Sequence, residues 1–250
     1  MIIFGQHASQ HLIATDSSRI IEVWLQQDKQ KLAALYELVN TLRQQGLRLQ
    51  YVPKKTLDKL SEQGNHQGIV LRCKAVPVKN EDDLHDLIKA LAAKKRKPLL
   101  LVLDGVKDPH NLGACLRSAD AAGVDAVIIP KNRAVALTPV VHKVACGASE
   151  SVPLIQVTNL VRELQWLKKQ GIWLIGTADE ATDNLYQTDT SGAIAWVMGA
   201  EEKGMRRLTR EECDTLVNIP MQGMVESLNV SVATGVCLFE SVRQRLKTAK

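Results

Sequence analysis

The sequence predicts an α/β protein: a C-terminal domain built on a parallel sheet, preceded by a smaller N-terminal α/β unit. Three observations predict it. From Leu99 onward, short runs that are apolar throughout alternate with helical patterns, as strands covered by helices on both faces require. Before Lys74, β-type runs flank a helical pattern of their own. Between the two, residues 74–97 turn polar and basic.

In chain order, residues 20–25 (IIEVWL), 47–52 (LRLQYV) and 69–72 (IVLR) are the β-type runs of the first unit, residues 1–73. Leu32, Leu35, Leu38, Val39 and Leu42 recur at helix spacing between the first two runs. Lys74–Asn80 is polar and carries a proline, and Leu84, Leu87, Ile88 and Leu91 then mark an amphipathic stretch that ends in Lys94-Lys-Arg-Lys97. Residues 74–97 are therefore expected to be a linker with a surface helix. In the second domain, residues 98–250, strands are expected at 99–103 (LLLVL), 124–129 (VDAVII), 172–176 (IWLIG), 194–198 (IAWVM) and 215–219 (TLVNI), and a final amphipathic helix from about Asn229 to Lys247.

At 250 residues, 45% hydrophobic and 24% charged, the chain has the makeup of a soluble globular protein. No apolar run approaches the roughly 20 residues that cross a bilayer. The start, Met1-Ile-Ile-Phe-Gly-Gln-His7, lacks the basic region and long apolar stretch of a secretory signal, so a cytoplasmic location is expected, with no membrane partner. Cys73, Cys115, Cys146, Cys213 and Cys237 are scattered singly and read as small apolar residues. Neither they nor the six dispersed histidines suggest a metal site, so any cofactor is expected to be organic. The net charge of +5 is uneven: 9 basic and 6 acidic residues in 1–73, 7 and 4 in 74–97, 16 and 17 in 98–250. The first half can attract a polyanion, with solvated surface lysine as the plain alternative.

A dinucleotide fold would place Gly-x-Gly-x-x-Gly directly after the first strand of its sheet. Here LLLVL leads instead into Asp104-Gly-Val-Lys-Asp-Pro-His-Asn-Leu-Gly113, and the glycine-rich turn Gly199-Ala-Glu-Glu-Lys-Gly204 comes only after a late strand. Three segments in order carry a different signature: Asn111-Leu-Gly-Ala-Cys-Leu-Arg117, Val197-Met-Gly-Ala-Glu201-Glu-Lys-Gly204, and Ile219-Pro-Met followed by Ser227-Leu-Asn229-Val-Ser-Val-Ala233. They resemble the three motifs of the SpoU (TrmH-like) branch of the knotted SPOUT RNA 2′-O-ribose methyltransferases. The N-terminal segments Phe4-Gly-Gln-His7-Ala and His66-Gln-Gly68-Ile resemble an L30e-like RNA-binding domain attached to members that methylate a ribosomal guanosine.

The resemblance implies a deep trefoil knot in the C-terminal domain, S-adenosyl-L-methionine as cofactor, and a homodimer built through the knotted domain. It also implies 23S ribosomal RNA as partner, with a guanosine of the peptidyl-transferase region as target and no DNA. It places Gly199, Ile219 and Leu228 at the cofactor, where glycine permits close approach and aliphatic chains flank the adenine; Thr177, after IWLIG, is a further candidate. Arg117 matches the arginine assigned to activating the ribose hydroxyl, but a guanidinium that titrates above roughly 12 also suits phosphate anchoring. Asn111 is read either as a site residue or as a helix N-cap. Glu201, in its turn, is placed to accept from Asn111, Arg117 or the substrate. Ser227 and Asn229 precede the last helix, where they can cap it or position substrate. Two alternatives accompany this reading: a transfer RNA 2′-O-methyltransferase of the same fold, and a catalytically idle RNA-binding or ribosome-assembly protein, against which intact Arg117, Glu201, Ser227 and Asn229 argue.

Overall fold

A computed structural model describes residues 1–74, 78–132, 134–201 and 204–248. The chain divides into two compact units, Met1–Pro77 and Val78–Lys250.

The first unit runs β1 (Ile2–Phe4), α1 (Gln6–Asp16), β2 (Ile20–Gln26), α2 (Lys29–Ala34), α3 (Tyr36–Gln44), β3 (Leu49–Val52), α4 (Lys54–Leu60) and β4 (Ile69–Cys73). Its sheet has the order β1-β4-β2-β3, with β4 antiparallel to both neighbours and β2 parallel to β3. The helix expected across Leu32–Leu42 is two helices, because Leu35 leaves helical geometry at φ −103°, ψ 12° while its side chain stays in the core. Asp28 caps α2 by accepting from the Lys31 amide. β1, three residues long, was too short to register in the sequence pattern.

The second unit opens with α5 (Glu81–Ala93), inside the stretch expected to be a linker. A capping box starts it: Asn80 accepts from the Asp82 and Asp83 amides, and the Asp83 carboxylate accepts from the Asn80 amide. Leu84, Ile88 and Leu91 bury against Leu100, Val102 and Ile155, each worth about 1.5–3 kcal/mol of apolar burial, so this helix is part of the domain core. His85 stacks on Trp166 at 3.8 Å and bonds the buried Glu163 carboxylate at 2.8 Å, further tying the helix down.

Then follow β5 (Leu99–Asp104), α6 (Pro109–Ala121), β6 (Ala126–Pro130), α7 (Pro139–Ala145), α8 (Ala148–Ser151), β7 (Leu154–Val157), α9 (Leu160–Lys169), β8 (Trp173–Thr177), β9 (Asp183–Asn184), β10 (Ile194–Gly199), α10 (Arg207–Glu212), β11 (Thr215–Asn218) and α11 (Val230–Thr248). The seven strands order as β7-β6-β5-β10-β8-β11-β9, every neighbouring pair parallel. Alternation sorts the side chains: Leu99, Leu101 and Leu103 join Trp196, Met198 and residues of α6 and α11 on one face, while Leu100, Val102, Ala195 and Val197 join α5 and α9 on the other. Trp196 donates its indole N–H to Ser241 of α11 at 2.9 Å, which satisfies the one polar atom of a fully buried ring. Burial pushes the Cys115 thiol up to about 11 and the Cys213 and Cys237 thiols up to about 12, so these three stay protonated near neutral pH. No helix among the described residues is long and apolar enough to cross a membrane.

Candidate functional site

The carboxyl ends of β8, β10 and β11 open into a cavity of about 330 Å³, the position at which an open parallel sheet leaves a crevice. Thr177 ends β8, Gly199 ends β10, Ile219 follows β11 and Leu228 precedes α11; all four line this cavity, together with Glu201 and Ser227. The volume falls in the range of small-ligand pockets. Met198, Ile219 and Leu228 give it apolar walls, and Asp179, Glu180 and Glu201 give it negative charge.

The residues fit the cofactor implied by the sequence resemblance. From Pro220 to Leu228 no backbone hydrogen bond joins the loop to another described residue, and Met221, Ser227 and Leu228 of this loop line the cavity. An adenine edge and a cationic sulfonium ask for such a wall: uncommitted peptide groups, aliphatic flanks and nearby carboxylates. Across the mouth, Glu180 pairs with Arg210 of α10, and the hydrogen bond from Arg210 holds the Glu180 carboxyl below the usual carboxylate range.

Gly199 has a sharper role than flexibility. The turn after β10 doubles back, with the amides of Ala200 and Gly204 donating to each other's carbonyls at 3.1 and 2.8 Å. A β-carbon on Gly199 would lie 2.2 Å from the Gly204 carbonyl carbon and 2.3 Å from the Met205 nitrogen. Those are backbone atoms, which cannot swing aside. Gly204 itself sits at φ +60°, the left-handed region that closes the turn.

A polar cluster adjoins the cavity. Asn111 donates to Glu201 Oε1 at 2.9 Å; Asn229 donates to the same oxygen and to Asn111 Oδ1 at 3.1 Å. Three segments separated by 90 and 28 residues in sequence thus converge on one carboxylate. Asn111 does not cap its helix: Asp108 does, accepting from the His110 amide with Pro109 at the first position, and Asn111, only 8% exposed, is free to face Glu201. Asn229 caps α11, its Oδ1 accepting from the Ser231 amide at 2.9 Å, while its amide nitrogen serves the cluster. Ser227 carries no capping bond to a described residue and faces the cavity.

Arg117 is not in this cluster. It is exposed on α6 and donates to Cys146 Sγ at 3.8 Å. Six residues along a helix is about 240° of rotation and about 9 Å of rise, so Asn111 and Arg117 leave α6 on different sides.

Sequence reasoning missed Asp104 and Arg206. Asp104 ends β5 beside Gly199, its carboxylate fully buried, and accepts from the Arg206 backbone amide at 2.9 Å and from its guanidinium at 2.6 Å. This clamp fixes the chain just after the 199–204 turn and starts α10. The only signal in the sequence is an acid at the end of an otherwise apolar strand. Arg206→Ala leaves that carboxylate buried with one amide partner, and is expected to lower unfolding free energy by about 3 kcal/mol in urea titration; a loss under about 0.5 kcal/mol would mean the clamp is not structural.

Residues 98–239 match the SpoU rRNA methylase family, and residues 2–78 match the RNA 2′-O ribose methyltransferase substrate-binding family. The chain is 55% identical over 244 residues to the 23S rRNA (guanosine-2′-O-)-methyltransferase RlmB of Shewanella oneidensis, covering 98% of this chain and 97% of that one. It is 53% identical over 244 residues to the protein of the same name from Escherichia coli, covering 98% of each. The fold superposes on the SpoU methyltransferase AviRb from Streptomyces viridochromogenes, solved with AdoMet, at a TM-score of 0.78 and 22% identity over 99% of this chain and 91% of that one.

Proposed function

The chain belongs to the SpoU rRNA methylase family, and from that premise we infer that it transfers the methyl group of S-adenosyl-L-methionine to the ribose 2′-hydroxyl of a guanosine in the peptidyl-transferase region of 23S ribosomal RNA. The observation that carries this reading is the convergence of Asn111, Glu201 and Asn229 beside the cavity that Thr177, Gly199, Ile219 and Leu228 line. When bound, the cofactor supplies an electrophilic methyl group on a sulfonium. The chain's part is to hold two partners in line and keep the hydroxyl oriented. The backbone at Ile219, Met221 and Leu228, which lines the cavity, binds the adenine, and Glu201 with its two asparagines forms the polar wall toward the ribose. Ser227, on the cavity surface at the entry to α11, positions the RNA backbone.

Arg117 fits this scheme best through a second copy of the chain. Val232, Phe239 and Leu246 stand exposed at seven-residue spacing along α11, an apolar stripe suited to a symmetric homodimer. α11 packs on α6, so a dimer closed over that stripe brings the exposed Arg117 toward the other copy's cavity. There the guanidinium anchors a phosphate or orients the hydroxyl. The family's trefoil knot is in keeping with the return of the chain from β11, through the cavity-lining loop, to α11 packed against α6 and β10. With a ribosomal RNA substrate, the enzyme works in the cytoplasm, and the first unit grips the RNA.

The test offers transcripts of 23S ribosomal RNA and of transfer RNA, with labelled cofactor. Ribose methylation of the ribosomal transcript alone is the expected outcome; methylation confined to transfer RNA would move the substrate assignment, and none on either would favour an idle binding protein.

A further inference from the structure

The two N-terminal motifs, Phe4–Ala8 and His66–Ile69, have no part in the cavity chemistry, yet the first unit spends unusual backbone on joining them. The Gly5 amide donates to the Ile69 carbonyl at 3.3 Å, and the Gln6 amide donates to Gln67 Oε1 at 2.8 Å. Between α4 and β4, Glu62, Gln63 and Gln67 all hold positive φ, at 50°, 63° and 52°. Residues with side chains rarely do so, and three within six positions mark a loop kept in one shape by its surroundings.

His66 keeps it there. The Gly68 amide donates to His66 Nδ1 at 3.0 Å, so Nδ1 is the acceptor and the proton sits on Nε2, which donates to Asp58 Oδ1 at 3.1 Å. The ring is 5% exposed and both nitrogens are used. Gly68, at φ +93°, packs under the Lys31 side chain, where a β-carbon would come within 3.3 Å. What remains outside is polar: His7, Gln63, Asn65 and Gln67 are exposed, with Gln67 accepting from the Gln6 amide.

The strand registers place this loop at a charged end of the sheet. Phe4 pairs with Val70, Leu25 with Ile69, and Gln26 with Val52, so the chain leaves β1, β2 and β3 and enters β4 at the same end. Lys29, Lys31, Lys54 and Lys55, exposed in the segments that follow β2 and β3, join the loop there. Of the acids nearby, Asp28 is committed to capping α2 and Asp58 to His66, which leaves Glu62 as the exposed acid of the loop against four exposed lysines.

We propose that this end of the first unit is its RNA-binding face, with the lysines on phosphates and the exposed side-chain amides of Gln63 and Asn65, carried on the backbone loop that His66 holds, on the edges of unpaired bases. It rests on the reading of the protein as an RNA methyltransferase. Phosphate contacts set affinity and salt dependence, whereas amide donors and acceptors held in place read base edges. The opposite end, where Arg48 precedes β3 and Lys74 follows β4, lacks the locked amide loop.

The test measures binding of the full-length protein to an unmodified transcript of the peptidyl-transferase region across a salt series, with cofactor binding measured alongside. Gln63→Ala/Asn65→Ala is expected to weaken RNA binding about tenfold with the salt slope unchanged, as loss of base-edge contacts does. Lys54→Ala/Lys55→Ala is expected to weaken it and to reduce the salt slope by about 1.5. Arg48→Ala/Lys74→Ala should bind as wild type, and all three should bind cofactor normally. Wild-type affinity in both test variants, or loss confined to Arg48→Ala/Lys74→Ala, would overturn the proposal. A wild-type protein that binds cofactor but no ribosomal transcript would overturn the functional reading itself, and this face with it.

Discussion

Gly199→Ala is expected to abolish cofactor binding and, with it, methyl transfer. The new methyl group would meet Gly204 and Met205 backbone atoms at 2.2 and 2.3 Å, far inside any contact real β-carbons make. Relief requires opening the Ala200–Gly204 bridge, and that turn forms one wall of the cavity. Forcing a methyl group into a closed backbone contact typically costs 1–3 kcal/mol, so the protein should fold with a lowered midpoint while its cavity is rebuilt. Calorimetric titration with S-adenosyl-L-methionine measures the effect directly. A variant that binds the cofactor within twofold of wild type would show that the turn relaxes without disturbing the cavity.

Arg117→Ala is expected to act in the opposite way, leaving fold, the proposed homodimer and cofactor binding intact while lowering methyl transfer by roughly 10²–10⁴-fold, the range for losing a group that orients or stabilises a proton-transfer step. Its guanidinium is exposed and pairs only weakly, with a sulfur, so its removal disturbs little in one chain. Because Glu201 lies in the cavity cluster and Arg117 does not, mixing Arg117→Ala with Glu201→Ala subunits separates two geometries. Recovery of part of the activity in the mixed dimer places Arg117 in the other copy's site; two inactive variants that stay inactive when mixed would confine it to its own. Wild-type turnover in Arg117→Ala alone would remove it from the mechanism.

Particular residues show what the sequence could reveal. Runs such as LLLVL and IAWVM were legible because strands buried on both faces need apolar residues at every position, and α11 was legible because its helix period is long. β1 and β9, at three and two residues, carry too few positions for a period to show. Leu35 reads as one more turn of a helix, and only the packing of the first unit breaks the chain there. The 74–97 stretch reads as a linker because its ends are polar, yet its middle supplies Leu84, Ile88 and Leu91 to the core of the second unit.

The cavity was legible as segments rather than as geometry. The glycine turn, the Ile219 loop and the start of α11 stood out by residue type, but that Gly199 is dictated by backbone crossing backbone is a property of the folded turn. Asp104 was hidden at the end of an apolar run, and its partner Arg206 lies 102 residues away. Asn111 and Arg117 belong to one motif, and their six-residue helical spacing already turns them apart, but only the folded chain shows that it is Asn111 that meets Glu201.

The central claim concerns one atom on one class of RNA, and mapping that atom tests it most directly. The full-length protein is incubated with radiolabelled S-adenosyl-L-methionine and unmodified 23S ribosomal RNA, and the label is located by nuclease and alkaline digestion. The account predicts a single alkali-resistant linkage at a guanosine of the peptidyl-transferase region, with the label on its ribose. Label on a base, at a nucleotide other than guanosine, or absent from ribosomal RNA while transfer RNA is labelled, would contradict it.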